Sequence, residues 1–158
     1  LQRRWPQWRG VLRIVGRGGR QSTLVHRMQR QLPRPEQVQL IDALTQEQLL
    51  EHLRSSLAVL SASTEEGFDY PILEAKAEGM PTLISDIPVH REFHQGSSLF
   101  FPVDDDGGVL ADHVIACLQD RQLWTQLSQA GYSLAQRLSL DAQVASIDEQ
   151  FRQLCSAS

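Results

Sequence analysis

Apolar positions change their spacing repeatedly along this chain, and each change marks a short element. Val11, Leu12, Ile14 and Val15 make a β-type run that stops at Gly16-Arg17-Gly18-Gly19. Over 22–32 the period becomes helical, with Leu24, Val25, Met28 and Leu32 on one face, and Pro33 and Pro35 end it. Residues 38–41 predict a short strand. Thr45 then reads as a helix N-cap, with Gln48 three residues on completing a capping box, so a helix is expected over 46–56. A buried strand at 57–61 and a polar, glycine-containing loop at 62–70 come next. Pro71 opens a helix to about 78, and Gly79 closes it. Strands are expected at 82–85 and 99–103, with a short helix at 89–94 between them. Two or three helices fill 108–154, broken near Ser139. Their apolar positions, among them Leu110, Val114, Leu118, Leu123, Leu127, Leu134 and Leu138, read as core.

Strands alternating with helices at this spacing predict an α/β fold, a Rossmann-like parallel sheet with helices on both faces. In such a sheet ligands bind beyond the carboxyl ends of the strands, which directs attention to the loops after Val15, Ser61, Ser85 and Val103. A chain of 158 residues leaves room for one compact domain or at most two very small ones, and with 41% apolar side chains it can bury a core, which excludes wholesale disorder. The apolar runs are a handful of residues long and none spans a bilayer. No apolar stretch follows Arg3 and Arg4, so residues 1–6 are not expected to be a signal peptide. The chain opens on Leu1, not Met, which suggests a piece of a longer protein. Cys117 and Cys155 stand far apart without ligand spacing, and read as small apolar thiols of a reducing compartment.

Charge is unevenly spread. Residues 1–35 hold nine arginines and no acid, while the remainder holds six basic and nineteen acidic residues, so +9 stands against −13. A basic end of this kind suits phosphates, an anionic membrane surface or nucleic acid, or is simply a solvated arginine-rich face. Only Trp5 and Trp8 offer rings for base stacking there, which argues against nucleic acid.

The loop after the strand at 57–61 concentrates the candidate chemistry. It reads Ser63-Thr64-Glu65-Glu66-Gly67-Phe68-Asp69-Tyr70-Pro71-Ile72-Leu73-Glu74-Ala75. Glu66 lies in the loop at the sheet's carboxyl edge, and Glu74 lies about one turn inside the following helix. At ~1.5 Å per helical residue and up to ~3.5 Å per extended one, the two carboxylates can stand on the order of 10 Å apart. Between them is a helix N-terminus with free N–H groups, a seat for phosphate. Gly67 removes a side chain where a ligand would approach the backbone. The spacing suits an elongated, anionic, hydroxyl-rich ligand held at both ends.

Here the chain resembles the C-terminal, donor-binding half of GT-B glycosyltransferases, in particular the family 4 (group 1) retaining enzymes. Their hallmark is Glu-Gly-Phe-Gly-Leu-Pro-x-Leu-Glu-Ala followed by Ala-x-Gly-x-Pro-x-x-x-Ser. The matching residues are Glu66-Gly67-Phe68, Pro71, Leu73-Glu74-Ala75, Ala77, Gly79, Pro81 and Ser85. The likeness continues through Asp86-Ile87-Pro88, Arg91-Glu92, Leu99 and Pro102, and upstream through 12–16 and 49–63, so it covers nearly the whole chain. It implies a single donor-nucleotide-sugar-binding domain over 1–158, with the acceptor-binding N-terminal domain outside this chain. Catalytic Glu66, with the Gly67 and Phe68 backbone, would contact the transferred sugar. Glu74 would hold the ribose hydroxyls, and amides around Asp69, Tyr70, Pro71, Ile72 and Leu73 would face the diphosphate. Gly16 would line the donor cleft, and Phe151 and Leu154 of the last helix would pack on the missing domain.

The implied activity is transfer of a hexose from a UDP-, GDP- or ADP-sugar to a saccharide or lipid-linked acceptor, with retention, no cofactor and no metal. The implied setting is the cytoplasm, with the cytoplasmic face of the inner membrane as a place of peripheral contact for the full-length enzyme. A non-catalytic nucleotide-sugar-binding or interaction module is the alternative, and a stand-alone flavodoxin-like protein fits the 66–85 pattern poorly. Two departures matter. Where the family has Gly-Leu, this chain has Asp69-Tyr70, and a carboxylate that caps the helix there would repel a diphosphate. The alternatives are a carboxylate that points away, one that contacts a sugar, and an altered donor site. The family's phosphate-binding Arg and Lys would precede Leu1, leaving Arg17 or Arg20 as candidate assistants.

Three other patterns compete. Asp104-Asp105-Asp106 contains the Asp-x-Asp of metal-dependent transferases, but precedes Gly107-Gly108 and a helix, where turn and N-cap chemistry explains it. His90 and His94 are spaced i, i+4 without a third ligand or the zinc-helix order. Gly16-x-Gly18-Gly19 lacks the third glycine of a dinucleotide loop, since position 21 is Gln.

Overall fold

The computed structural model describes residues 1–16, 19 and 22–156. Two compact units divide the chain at His52/Leu53. The first carries β1 (Leu12–Val15), α1 (Ser22–Arg30), a 3₁₀ turn (Pro35–Gln37), β2 (Val38–Ile41) and the start of α2 (Gln46–Arg54). β1 and β2 pair in parallel, Leu12 opposite Val38 through Val15 opposite Ile41. The expected capping box is present: Gln48 N–H donates to Thr45 Oγ1 at 3.3 Å, and Thr45 N–H to Gln48 Oε1 at 3.0 Å. α1 stops two residues short of the predicted end, where Gln31 and Leu32 donate to carbonyls three residues back in tightened turns. Apolar β1 is not dry, for Leu12, Ile14 and Val15 keep 39–44% of their surface in solvent.

The second unit contains β3 (Val59–Ser61), α3 (Tyr70–Ala77), β4 (Thr82–Ser85), α4 (Pro88–His94), β5 (Leu99–Phe101), α5 (Gly108–Gln119), α6 (Arg121–Arg137) and α7 (Leu140–Ser156). Its parallel sheet runs β3-β4-β5, with central β4 buried at every residue. Among the described residues the strands pair as two parallel sheets, of two and three strands. β3 is shorter than predicted, as the Leu57 carbonyl bonds the Trp124 indole N–H at 2.8 Å instead of a neighbouring strand. β5 ends at Phe101 because Pro102 has no N–H to donate, and its carbonyl instead starts a turn with Asp105.

The core of this unit is built from Ile72 and Ala75 of α3, Leu83 and Ile84 of β4, Phe101, and Ala111, Cys117, Leu127, Leu134 and Ala135 of the helices. α3 lies against α6, where Gly131 leaves room for the Lys76 stem. A Cβ on Gly131 would stand 3.1 Å from Lys76 Cγ. Gly79 ends α3 at φ +72°, as a closing glycine should, and its carbonyl accepts from Ser128 of α6 at 2.6 Å. α3 and α6 are thereby locked together.

Candidate active site

Ser61 is the last residue of β3, and residues 62–69 carry the chain from the sheet's carboxyl edge to α3. Glu66, Gly67, Tyr70, Pro71 and Glu74 are exposed, Phe68 and Leu73 are half-buried, and Asp69 and Ile72 are buried. The loop is held from below. Ser85, at the end of β4, donates its hydroxyl to the Ser63 carbonyl, and Ser63 donates its own to Glu66 Oε1 at 2.6 Å. The Phe68 ring packs edge-on against Phe93 at 4.9 Å between centroids and lies 5.1 Å from Tyr70. Glu66 is therefore an exposed carboxylate on a fixed arm, and a Cβ added at Gly67 would meet nothing within 4 Å.

Asp69 occupies the N-cap position of α3 in the left-handed region, φ 64° and ψ 64°. The expectation that its side chain caps the helix is corrected, for it makes no capping hydrogen bond. The carboxylate turns inward, accepting from Ser61 Oγ at 2.5 Å and lying 3.1 Å from His90 Nε2. Turned inward, it makes no hydrogen bond to the amides of the helix end. The amide expectation narrows too. Pro71 has no N–H, and Ile72 donates to the Asp69 carbonyl at 3.1 Å. The Tyr70 N–H has no partner among the described residues, and it opens the positive end of α3 to solvent.

Beneath the loop lies a layer of buried polar groups that the motif alone does not reveal. His90 is fully buried, its Nδ1 2.8 Å from the Ser85 carbonyl and its Nε2 facing Asp69. His94 is also fully buried, and neither of its ring nitrogens has a hydrogen-bond partner among the described residues. Burial pulls the His94 pKa down to about 4, with Lys76 and His90 adding repulsion. Lys76 donates to Ser97 Oγ at 2.6 Å, and burial lowers its pKa to about 7. The His90–His94 spacing, read in the sequence against zinc, thus serves an Asp–His pair and a packed ring. Among the described residues no cluster of His, Cys, Asp and Glu is arranged for a metal ion.

Asp105, the middle residue of Asp-x-Asp, caps α5, and Asp106 Oδ1 also accepts from the Gly108 amide at 2.9 Å. The Asp105 carboxylate accepts from the Gly108, Val109 and Leu110 amides at 3.0–3.1 Å, and those amides, Leu110 first, hold its pKa below the ordinary value. Gly16 belongs to the first unit, follows β1 and donates to the Ile41 carbonyl at 2.9 Å. Arg17, Gly18 and Arg20 lie outside the described residues.

A parallel α/β fold with its candidate ligand groups at the carboxyl edge defines a Rossmann-like domain of the GT-B type. Solved structures share it. Sucrose-phosphate synthase from Thermosynechococcus elongatus superposes with a TM-score of 0.78 at 22% identity, covering 94% of this chain and 39% of that one. Anabaena Alr3699/HepE, crystallised with UDP-glucose, gives 0.75 at 20% identity over 94% of this chain and 41% of its own. The pneumococcal O-GlcNAc transferase GtfA, solved with UDP and GlcNAc, gives 0.72 at 17% identity over 98% and 31%. The sequence pattern of the glycosyl transferases group 1 family matches residues 7–134, and the chain belongs to that family. Among curated proteins it is 38% identical over 58 residues to the serotype-specific mannosyltransferase WbdA of Escherichia coli, which is 37% of this chain and 7% of that protein. It is 30% identical over 154 residues to the exopolysaccharide phosphotransferase SCO2592 of Streptomyces coelicolor, which is 96% of this chain and 16% of that protein. The chain therefore spans a small part of the curated relatives it matches. Among the described residues no helix is long and apolar enough to cross a membrane.

Proposed function

We propose that this chain binds the nucleoside-diphosphate part of a sugar donor at the N-terminal end of α3, as the donor half of a retaining glycosyltransferase. The observation that carries the reading is the exposure of Glu66 and Glu74 in the family motif, with the open Tyr70 amide between them. Glu66, steadied by Ser63, positions the transferred sugar and offsets positive charge developing at its anomeric carbon. Glu74 accepts from two ribose hydroxyls, a charge-assisted contact. The Tyr70 N–H and the helix end take the diphosphate, and the same groups stabilise it as it departs. The proposed chemistry calls on no metal ion. The UDP and UDP-glucose bound in structural neighbours favour a nucleoside-diphosphate ligand.

A second domain of the whole protein, in this reading, supplies the acceptor site and further cations for the phosphates. A saccharide or lipid-linked acceptor, a cytoplasmic setting and peripheral membrane contact belong to that whole enzyme, and the chain alone binds donor weakly and turns nothing over. The non-catalytic alternative draws on Asp69 at the diphosphate end of α3; the inward turn of that carboxylate favours the catalytic reading over it. Titration calorimetry with UDP, GDP and ADP tests the assignment. Glu74→Ala should weaken the diphosphate that binds by about tenfold, the size of a lost charge-assisted pair. An unchanged Kd would remove Glu74 from the site.

A further inference from the structure

Asp69 is the one non-glycine residue with positive φ among the described residues, and its side chain is 5% exposed. An L-residue in that region is strained, and a strained backbone persists only where its surroundings over-determine it. Here they do. The carboxylate accepts from Ser61 at the end of β3 and meets His90 Nε2, while His90 Nδ1 faces the Ser85 carbonyl at the end of β4. Both ring nitrogens therefore face acceptors, so a proton must lie between Nε2 and Oδ2 for the contact to hold. Ser85 in turn holds the Ser63 carbonyl, and Ser63 holds Glu66. One hydrogen-bonded chain runs from the Asp69–His90 pair to the exposed acid of the loop, and Asp69 is itself the residue before α3.

We propose that Asp69 and His90 form a buried clamp that positions Glu66 and the first turn of α3 for the donor without touching it. Both are positioning residues. The clamp exchanges the freedom of a glycine turn for a fixed one, joining β3, β4, α3 and α4 at a single point. This inference rests on the donor reading for its ligand, but the clamp has a readout of its own.

The test compares Asp69→Gly, Asp69→Asn and His90→Gln with wild type, below the melting temperature of each. Asp69→Gly relieves the backbone strain and removes the carboxylate; Asp69→Asn keeps the shape and an acceptor oxygen. In the free protein, NMR amide resonances of Ser63, Glu66, Gly67 and Phe68 should shift and broaden in Asp69→Gly and in His90→Gln. They should stay near wild type in Asp69→Asn. Nucleoside-diphosphate affinity should fall at least tenfold in Asp69→Gly and within about threefold of wild type in Asp69→Asn. Unchanged loop amides in Asp69→Gly would overturn the clamp whether or not a donor binds. Tighter binding in both Asp69 variants would overturn it as well, because the carboxylate would then act by repelling phosphate. If wild type binds no nucleoside diphosphate while the loop loosens in Asp69→Gly, the donor reading falls and the clamp stands.

Discussion

Glu66 and Glu74 stand in solvent, while Asp69, between them in sequence, is buried with His90. The rim of the β3–α3 loop and the polar layer under it share residue types but not physics. On the rim, a carboxylate keeps its hydration and is free to exchange it for a ligand's hydroxyls. Below, the Asp69 carboxylate and the His90 ring depend on each other, since losing one leaves the other desolvated. Residues of the first kind should govern affinity at little cost in stability. Residues of the second kind should govern stability, and act on affinity only through the shape they impose.

The contrast is most easily broken at His90. His90→Ala leaves the Asp69 carboxylate buried with Ser61 alone, and should cost about 3–5 kcal/mol in denaturant unfolding. Glu66→Ala should stay within ~0.5 kcal/mol of wild type. Equal costs would erase the distinction between rim and layer.

A smaller effect is expected from Lys76. Its folded pKa of about 7 lies below its ordinary 10.5, so between those values the unfolded chain binds more protons than the folded one. Stability should therefore rise with pH across that window, by on the order of 2 kcal/mol from pH 7 to 9. Lys76→Met should flatten the rise, and chemical denaturation at several pH values would measure it. His94, at about 4 against 6.5, has the same sign, so its contribution is lost as pH falls from about 6.5 toward 4. A stability profile that falls above pH 7 in wild type would contradict the burial of an ammonium there. The smallest expected change in stability is at Glu74, whose replacement by Ala should leave the melting temperature within about a degree or two while donor affinity drops.

Much of the fold is legible in local pattern. The strand at Val38–Ile41, the Thr45–Gln48 box, the glycine closure of α3 and the break before Leu140 all follow from periodicity and capping. The candidate rim is legible as well, because Glu66 and Glu74 sit in one contiguous motif. The layer beneath is not. Asp69 and His90 are 21 residues apart, and only the adjacency of β3 and β4 brings them together. Local propensity favours Asp69 as a helix cap, and tertiary pairing overrides it. Nor does an apolar run disclose what covers it. β1 and β4 both read as strands, yet β1 stays about 40% exposed while β4 is sealed. Local pattern overstates strand length where a non-ladder partner intervenes, the Trp124 indole at Leu57 and the proline at 102.

The central claim is that the rim at the head of α3 takes a nucleoside diphosphate. Its most direct test is a ¹H–¹⁵N NMR titration of the chain with UDP, GDP and ADP to millimolar concentration. At least one should shift the Glu66, Gly67, Tyr70 and Glu74 amides in a saturable way, and Glu74→Ala should weaken that saturation. Shifts that are absent for all three, or that map away from the β3–α3 loop, would contradict it.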